Sequence, residues 1–465
     1  MNSFVNLVMG HHETTLTAKQ RATHTYVIGQ PGTGKSRAFE SWIMQDIALE
    51  RGVGVIDPHG DLYNNLLARL AVKPDLWDRL ILFDPLDPKW VVGFNPLEAG
   101  GHIHQERLAL YLTDVVTKVW RINTSNAPRM VWLLTNSFLA LSSLHLSLLE
   151  LPRFLVDRVF RDALMPRVKQ ENVRNYFNYE FPKSTAGANQ WVTPVLNKLG
   201  GLLFDLDARL IFSGSSTINF REIMDQKKVL LVNLPKGIFG EGVSALLAAF
   251  IVAHFQKAAL SRASSIKRPA YYLYLDEFQN YTTDNIQDVL SESRKYALSL
   301  TLAHQYLDQL SSNLQSAVLN TAGTIVSFRV GYQDAGRLAK EIFPSPDYIQ
   351  TYRPELKVRQ SYRAPFPYIR IKSESTGWGS LSLELSQLHH RQFWFRRRGN
   401  RTPIKQTTFD MPDPKITKDL KRQINLLRDF SGERYAKLKS EVLRSNQGLS
   451  NQQAKFDVDI PQWSG

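Results

Sequence analysis

The chain opens on short apolar runs alternating with segments of helical period. Residues 24–28 (HTYVI) form an apolar run that stops at a glycine-rich loop, and Phe39, Ile43 and Ile47 then recur at helical spacing over 36–50. Two further runs follow, GVGVIDPHGD ending in Asp57-Pro58-His59-Gly60-Asp61 and RLILFDPLDP ending in Asp84-Pro85. Strand, loop and helix in rotation predict an α/β fold with a parallel sheet. From about Ile103 to Glu222 the period is helical, Leu-rich and punctuated by prolines at 128, 152, 166, 182 and 194, which predicts an inserted all-α subdomain. Strand runs return at 227–235 (KKVLLVNLP), 270–278 (AYYLYLDEF), 298–305 (LSLTLAHQ) and 323–331 (GTIVSFRVG). Their Leu, Val, Ile and Tyr content suits strands buried on both faces.

Beyond Tyr352 the chain turns basic. RQFWFRRRGNRTPIKQTTF (391–409) reads as a hairpin, and 416–444 places Leu420, Ile424, Leu427, Tyr435, Leu438 and Val442 near one helical face. The last twenty residues, rich in Asn, Gln and Ser, are predicted to be disordered. The expected organisation is 1–102 and 223–410 as two parts of one α/β domain, 103–222 as the helical insertion, and 411–465 as an amphipathic helix with a tail. No internal repeat is evident.

Composition narrows the options. A chain of 465 residues can form two or three domains, or one large α/β domain with an insertion. It has no cysteine, which excludes disulfides and thiolate metal sites and suits a reducing compartment. A net charge of +14 favours polyanionic partners, nucleic acid or an anionic membrane face, although a basic enzyme without such a partner fits equally well. No signal peptide is evident. The segment 130–150 (MVWLLTNSFLALSSLHLSLLE) carries no charge before Glu150, but its Thr135, Asn136, Ser137, Ser142, Ser143, His145 and Ser147 predict a buried bundle helix rather than a membrane span.

Candidate chemistry begins at Gly29-Gln30-Pro31-Gly32-Thr33-Gly34-Lys35-Ser36, a complete G-x-x-x-x-G-K-[ST] string that follows a strand and opens a helix. Gly29 to Arg37 are the candidate nucleotide-binding residues: main-chain N–H groups surround phosphates, Lys35 reaches the β- and γ-phosphates, and Ser36 ligates Mg2+. YLYLDEF adds an acidic pair after a buried strand. Asp276 is the second candidate Mg2+ residue, and Glu277 is the candidate base that orients and deprotonates a water. The alternative is a solvated acidic pair at a strand end.

Gln305, at the end of the next strand, is a candidate reader of the γ-phosphate. Arg329, after the following strand, is a candidate for insertion into a neighbouring subunit's site, with a DNA contact or a subunit ion pair as alternatives; Arg294 and Lys295 are weaker candidates. Arg396, Arg397, Arg398, Arg401 and Lys405 beside Phe393, Trp394 and Phe395 suit phosphate neutralisation and base stacking, or else a hairpin whose aromatics pack on the core. Lys236–Glu241 and Asn280–Asp284 are further candidate DNA contacts.

HTYVIGQPGTGKS, GVIDPHGDL, FNPLE, YLYLDEFQN, LTLAHQYLDQL and TIVSFRVGYQDA, in this order over roughly residues 20–345, resemble the HerA/FtsK superfamily of RecA-like motor ATPases. Within it the chain looks most like the TraG/TraD group of conjugative and type IV secretion coupling proteins. The resemblance implies a RecA-like P-loop domain with a helical insertion, ATP and Mg2+ as cofactors, and a homo-hexameric ring. Such a ring passes single- or double-stranded DNA through its channel, with relaxase and secretion-channel proteins as partners. Coupling proteins typically begin with transmembrane helices, and HerA translocases with a β-barrel, whereas 28 residues precede Gly29 here. A winged-helix module like that of FtsK has no evident counterpart. The expectation is therefore a cytoplasmic relative without a transmembrane segment of its own, with recruitment to the inner face of a membrane left open. Two other functions stay open: a HerA-like DNA-processing or defence ATPase acting with a nuclease, and a nucleotide-dependent adaptor that docks partner proteins.

Overall fold

The computed structural model of the chain describes residues 6–11, 14–98, 105–123, 125–281, 290, 292–343, 377–399 and 402–445. Arg401, residues 282–284 of the Asn280–Asp284 candidate and the last twenty residues lie outside them. Nine strands build the central sheet: β1 (Thr25–Ile28), β2 (Gly52–Asp57), β3 (Leu80–Phe83), β4 (Val229–Asn233), β5 (Tyr271–Leu275), β6 (Leu298–His304), β7 (Thr324–Ser327), β8 (Gln392–Arg397) and β9 (Ile404–Thr407). The order is β9-β8-β7-β1-β6 in one part and β5-β2-β4-β3 in the other, and the pairing is mostly parallel. The α/β expectation from the apolar runs holds. Every residue of β1 to β7 is buried, because helices cover both faces of a parallel sheet.

The chain divides into two compact units: Met1–Gln45 with Ser299–Met411, and Asp46–Leu298 with Pro412–Gly465. In the first, β1 is flanked by β6 and β7 in parallel, and the hairpin β8–β9 extends the sheet antiparallel to β7. The hairpin's aromatics decide its role. Phe393 and Phe395 are fully buried, Trp394 nearly so, and Phe393 packs on Trp42 and Phe328. They serve the core and offer no stacking platform. Its cations are also engaged: Arg397 donates to the Thr15 carbonyl, Arg398 to that of Asn320, and Lys405 pairs with Glu384 at 2.6 Å.

In the second unit β2 lies between β4 and β5, with β3 beyond β4. Between residues 92 and 228 the described elements are all helical, among them Gln105–Val119, Pro128–Ser143 and Thr185–Phe204. In Pro128–Ser143 residues 133–142 are buried, polar Asn136 and Ser137 included. Among the described residues one helix, Glu241–Leu260, is long and apolar enough to cross a membrane. It is mostly buried, and His254 Nε2 bonds the Pro96 carbonyl at 2.9 Å.

The C-terminal segment differs from the single helix expected over 416–444. A helix spans Lys418–Tyr435, Ala436 turns to extended backbone (φ −133°), and Lys437–Leu438 pair antiparallel with Trp90–Val91. The helix covers β3, and the Ser431 hydroxyl accepts from the Leu82 amide at 3.0 Å. This occupies part of an edge that would otherwise be open to strand addition.

Candidate nucleotide site

In the first unit, parallel register pairs Ile28 with His304 on one side and with Ser327 on the other. The loops after β1, β6 and β7 therefore leave the sheet side by side, and the sheet brings Gly29, Gln305 and Arg329 together. The Phe328 amide bonds the Ile28 carbonyl at 2.8 Å, and the Gln30 amide then bonds the Arg329 carbonyl at 2.8 Å. The glycine loop is thus sewn to the chain that carries Arg329.

Gly32 and Gly34 adopt φ +71° and +108°, a region closed to most side chains, so the loop curls where the sequence places glycine. The helix Lys35–Ala48 begins at once, and its first main-chain bond runs from the Ala38 amide to the Gly34 carbonyl. The amides of the first helical turn form the positive end of the helix dipole beside the loop. Lys35 is buried, its ammonium donating to the Gly29 carbonyl and, at 3.3 Å, to that of Gln30. Thr33 Oγ1 donates to the Gln30 carbonyl at 2.7 Å. Pro31, Gly32 and Ser36 are exposed, and Arg37 turns back to the buried Glu40 at 2.9 Å. These donors suit a polyphosphate: amides at a helix start, a cation laid across the loop and an accessible hydroxyl.

Behind the loop, His304 is buried against Tyr26, with Oη and Nε2 2.5 Å apart. Burial and then the charge of Lys35 hold its imidazole down to about 3, so it is neutral. Gln305 is half-buried, its amide held by Gln309 Oε1 at 3.0 Å. Arg329 is likewise half-buried.

The second unit holds the acidic pair. Asp276 and Glu277 are both buried after β5, and the Asp276 amide bonds the Ile56 carbonyl of β2 at 3.3 Å. Glu277 sits at φ +48°, a strained conformation for a residue with a Cβ, of the kind that persists where the surroundings over-determine it. Its amide donates to Asp276 Oδ1 at 3.1 Å, and Gln279 Nε2 donates to Glu277 Oε2 at 2.7 Å. The Tyr281 hydroxyl donates to the Asp276 carbonyl at 2.5 Å; burial first, then Asp276, Asp57 and Glu277, raise its pKa well above the ordinary phenol value. The turn after β5 is therefore a self-bonded frame for two carboxylates. Arg294 and Lys295 lie exposed in the turn before β6, and Lys236 begins a short helix, Lys236–Phe239.

Other strand ends in this unit carry polar groups in structural roles. Asp57 closes its own turn, accepting from the His59 amide at 2.9 Å and the Tyr63 amide at 2.8 Å; burial raises its pKa. Asp84 accepts from Asn233 Nδ2 at 2.9 Å and pairs with Arg428 at 3.4 Å.

Sequence reasoning missed Gln279 and Arg391, and named Tyr281 only within the Asn280–Asp284 candidate for DNA contact, not as a partner of Asp276. Gln279 and Tyr281 stand within five residues of Asp276, so their proximity was a usable signal. Arg391 was not foreseeable from spacing: its amide bonds the Thr33 carbonyl at 2.9 Å across more than 350 residues of chain.

No family model matches the sequence, and no curated protein matches it in sequence. Solved structures do match in fold. The bacterial conjugative coupling protein TrwBdeltaN70 in an unbound form is similar with a TM-score of 0.61 at 15% identity, over 89% of this chain and 91% of that one. The plasmid coupling protein TrwB in complex with ADP and Mg2+ gives 0.61 at 15%, over 89% and 92%. VirB4 of Thermoanaerobacter pseudethanolicus gives 0.53 at 12%, over 89% and 98%. The chain has the RecA-like P-loop fold of the coupling protein TrwB.

Proposed function

We propose that this protein is an ATPase of the coupling-protein type, which hydrolyses ATP with Mg2+ and uses the turnover to move DNA in conjugation or type IV secretion. The observation that carries the reading is the Gly32–Ser36 loop, with left-handed glycines running directly into the start of the helix Lys35–Ala48. Bound ATP supplies the phosphoryl group that is transferred to water, and Mg2+ neutralises charge on its oxygens. Loop amides and Lys35 bind the phosphates, and Ser36 and Asp276 hold the cation. Glu277 orients the attacking water and takes its proton, Gln305 senses the terminal phosphate, and Arg329 stabilises charge in the site of a neighbouring copy in a ring.

In this reading residues 1–102 and 223–410 form the ATPase core, and 103–222 forms a helical insertion that meets DNA or a relaxase. Support comes from the fold shared with TrwB, the ADP and Mg2+ named in a TrwB complex, the type IV secretion resemblance of the motifs, and the net charge of +14. The test is ATP turnover with and without single- and double-stranded DNA, for the natural chain and for Lys35→Ala and Glu277→Gln. DNA-stimulated turnover abolished by both changes is expected. Turnover indifferent to DNA would sink the motor and point to a nucleotide-gated adaptor.

A further inference from the structure

We propose that Arg391 is a positioning residue of the nucleotide site, locking the Thr33–Gly34 peptide so that its N–H faces away from the hairpin. The inference deepens the ATPase reading and rests on it. Arg391 begins the turn into β8 at φ +70°, a conformation unusual for a residue with a Cβ. Its amide donates to the Thr33 carbonyl at 2.9 Å, and a Cβ on Gly34 would lie 3.1 Å from its Cα. A trans peptide points its C=O and N–H in opposite directions. Tying the Thr33 carbonyl to Arg391 therefore fixes the direction of the Gly34 N–H, and a flipped peptide would present an oxygen in place of that donor.

The guanidinium keeps Arg391 in place. It donates to the Thr408 carbonyl at 3.0 Å, lies 3.4 Å from the Thr408 hydroxyl and pairs with Asp410 at 3.0 Å. The Thr408 amide returns a bond to the Arg391 carbonyl at 3.0 Å. The root of the β8–β9 hairpin thus grips the phosphate loop from the side, and nothing in the glycine-loop motif announces it.

Equilibrium binding of a fluorescent ATP analogue with Mg2+, and amide hydrogen exchange of the full chain without nucleotide, test this on Arg391→Ala and Arg391→Gly. Both changes keep the main-chain N–H that bonds Thr33 and remove the guanidinium that holds it in place, and are expected to weaken binding by roughly tenfold, the scale of losing side-chain bonds made by a charged group. Both should speed exchange in the peptide spanning Gln30–Ser36 and leave β4 and β5 unchanged. Affinity within about twofold of the natural chain overturns the proposal, as does unchanged exchange at 30–36. Faster exchange throughout the chain also overturns it, because it marks a residue needed only for stability. Binding lost in Lys35→Ala but kept in the Arg391 variants overturns this inference alone. A natural chain that does not bind the analogue overturns the ATPase reading as well.

Discussion

Gln279 Nε2 donates to Glu277 Oε2 at 2.7 Å, so the carboxylate offered as the base is held by a side chain two residues further along the same turn. Gln279→Ala removes that bond to the carboxylate while leaving the glycine loop untouched. The expected outcome is kcat lower by roughly tenfold, the cost of one hydrogen bond to a charged group, with the KM for ATP unchanged. Steady-state ATPase kinetics check it. A raised KM at constant kcat would place Gln279 in binding instead.

Arg428 of the C-terminal helix stands 3.4 Å from Asp84 and 3.7 Å from Asp87, both largely buried at the end of β3. Removing the guanidinium takes a cation from between two carboxylates. Because Arg428 is partly exposed, the full cost of breaking a buried pair does not apply, and Arg428→Ala is expected to destabilise by about 1–3 kcal/mol. Chemical denaturation read by circular dichroism measures this, and Arg428→Lys should fall between the two.

Gly432 lies where the C-terminal helix crosses Trp90. A Cβ there would sit 2.2 Å from the indole, which is itself fixed by a 2.8 Å bond to Asp429. Helix propensity favours Gly432→Ala by about 1 kcal/mol, but overpacking of this severity costs about 1–3 kcal/mol. Net destabilisation is therefore expected in thermal unfolding, and a rise in Tm would show that the helix can shift without penalty.

Two buried histidines each contribute a loss of stability as pH falls. Burial lowers His254 and His304 to about 3, with the charges of Lys257 and Lys35 respectively adding to the effect. Above pH 6.5 both states are neutral and neither residue affects stability. Between about 6.5 and 3 the unfolded chain takes up protons that the native state refuses, so stability falls as pH falls, by about 1.4 kcal/mol per histidine per pH unit. The raised carboxyls of Asp57 and Asp84 act in the opposite sense, since the native state binds their protons more tightly. His254→Gln retains a donor for the Pro96 carbonyl and should flatten the slope by about one histidine's share. Urea denaturation at a series of pH values checks it, and an unchanged slope would refute the assignment.

The strands and the conformation of the glycine loop were legible in the sequence because each is specified locally. Strands buried on both faces read as unbroken apolar runs, as in HTYVI and YLYLDEF. The loop needs glycine at left-handed positions, and glycine stands at Gly32 and Gly34. The acidic pair could be found for the same reason, since Asp276 and Glu277 directly follow such a run.

Long-range packing decided the rest. Composition left open whether Phe393, Trp394 and Phe395 face solvent; the sheet buries them, because β8 adds to β7 and receives Trp42 and Phe328. Helical periodicity ran through Tyr435 to Val442, yet the helix buries the small residues Ser431 and Gly432 against Leu82 and Trp90 and breaks where Lys437–Leu438 find a strand partner. Arg391 reaches the phosphate loop only because β8 folds beside β7. A sequence pattern records what a segment wants from its own neighbours along the chain. Which distant backbone completes its hydrogen bonds is set when the sheet assembles.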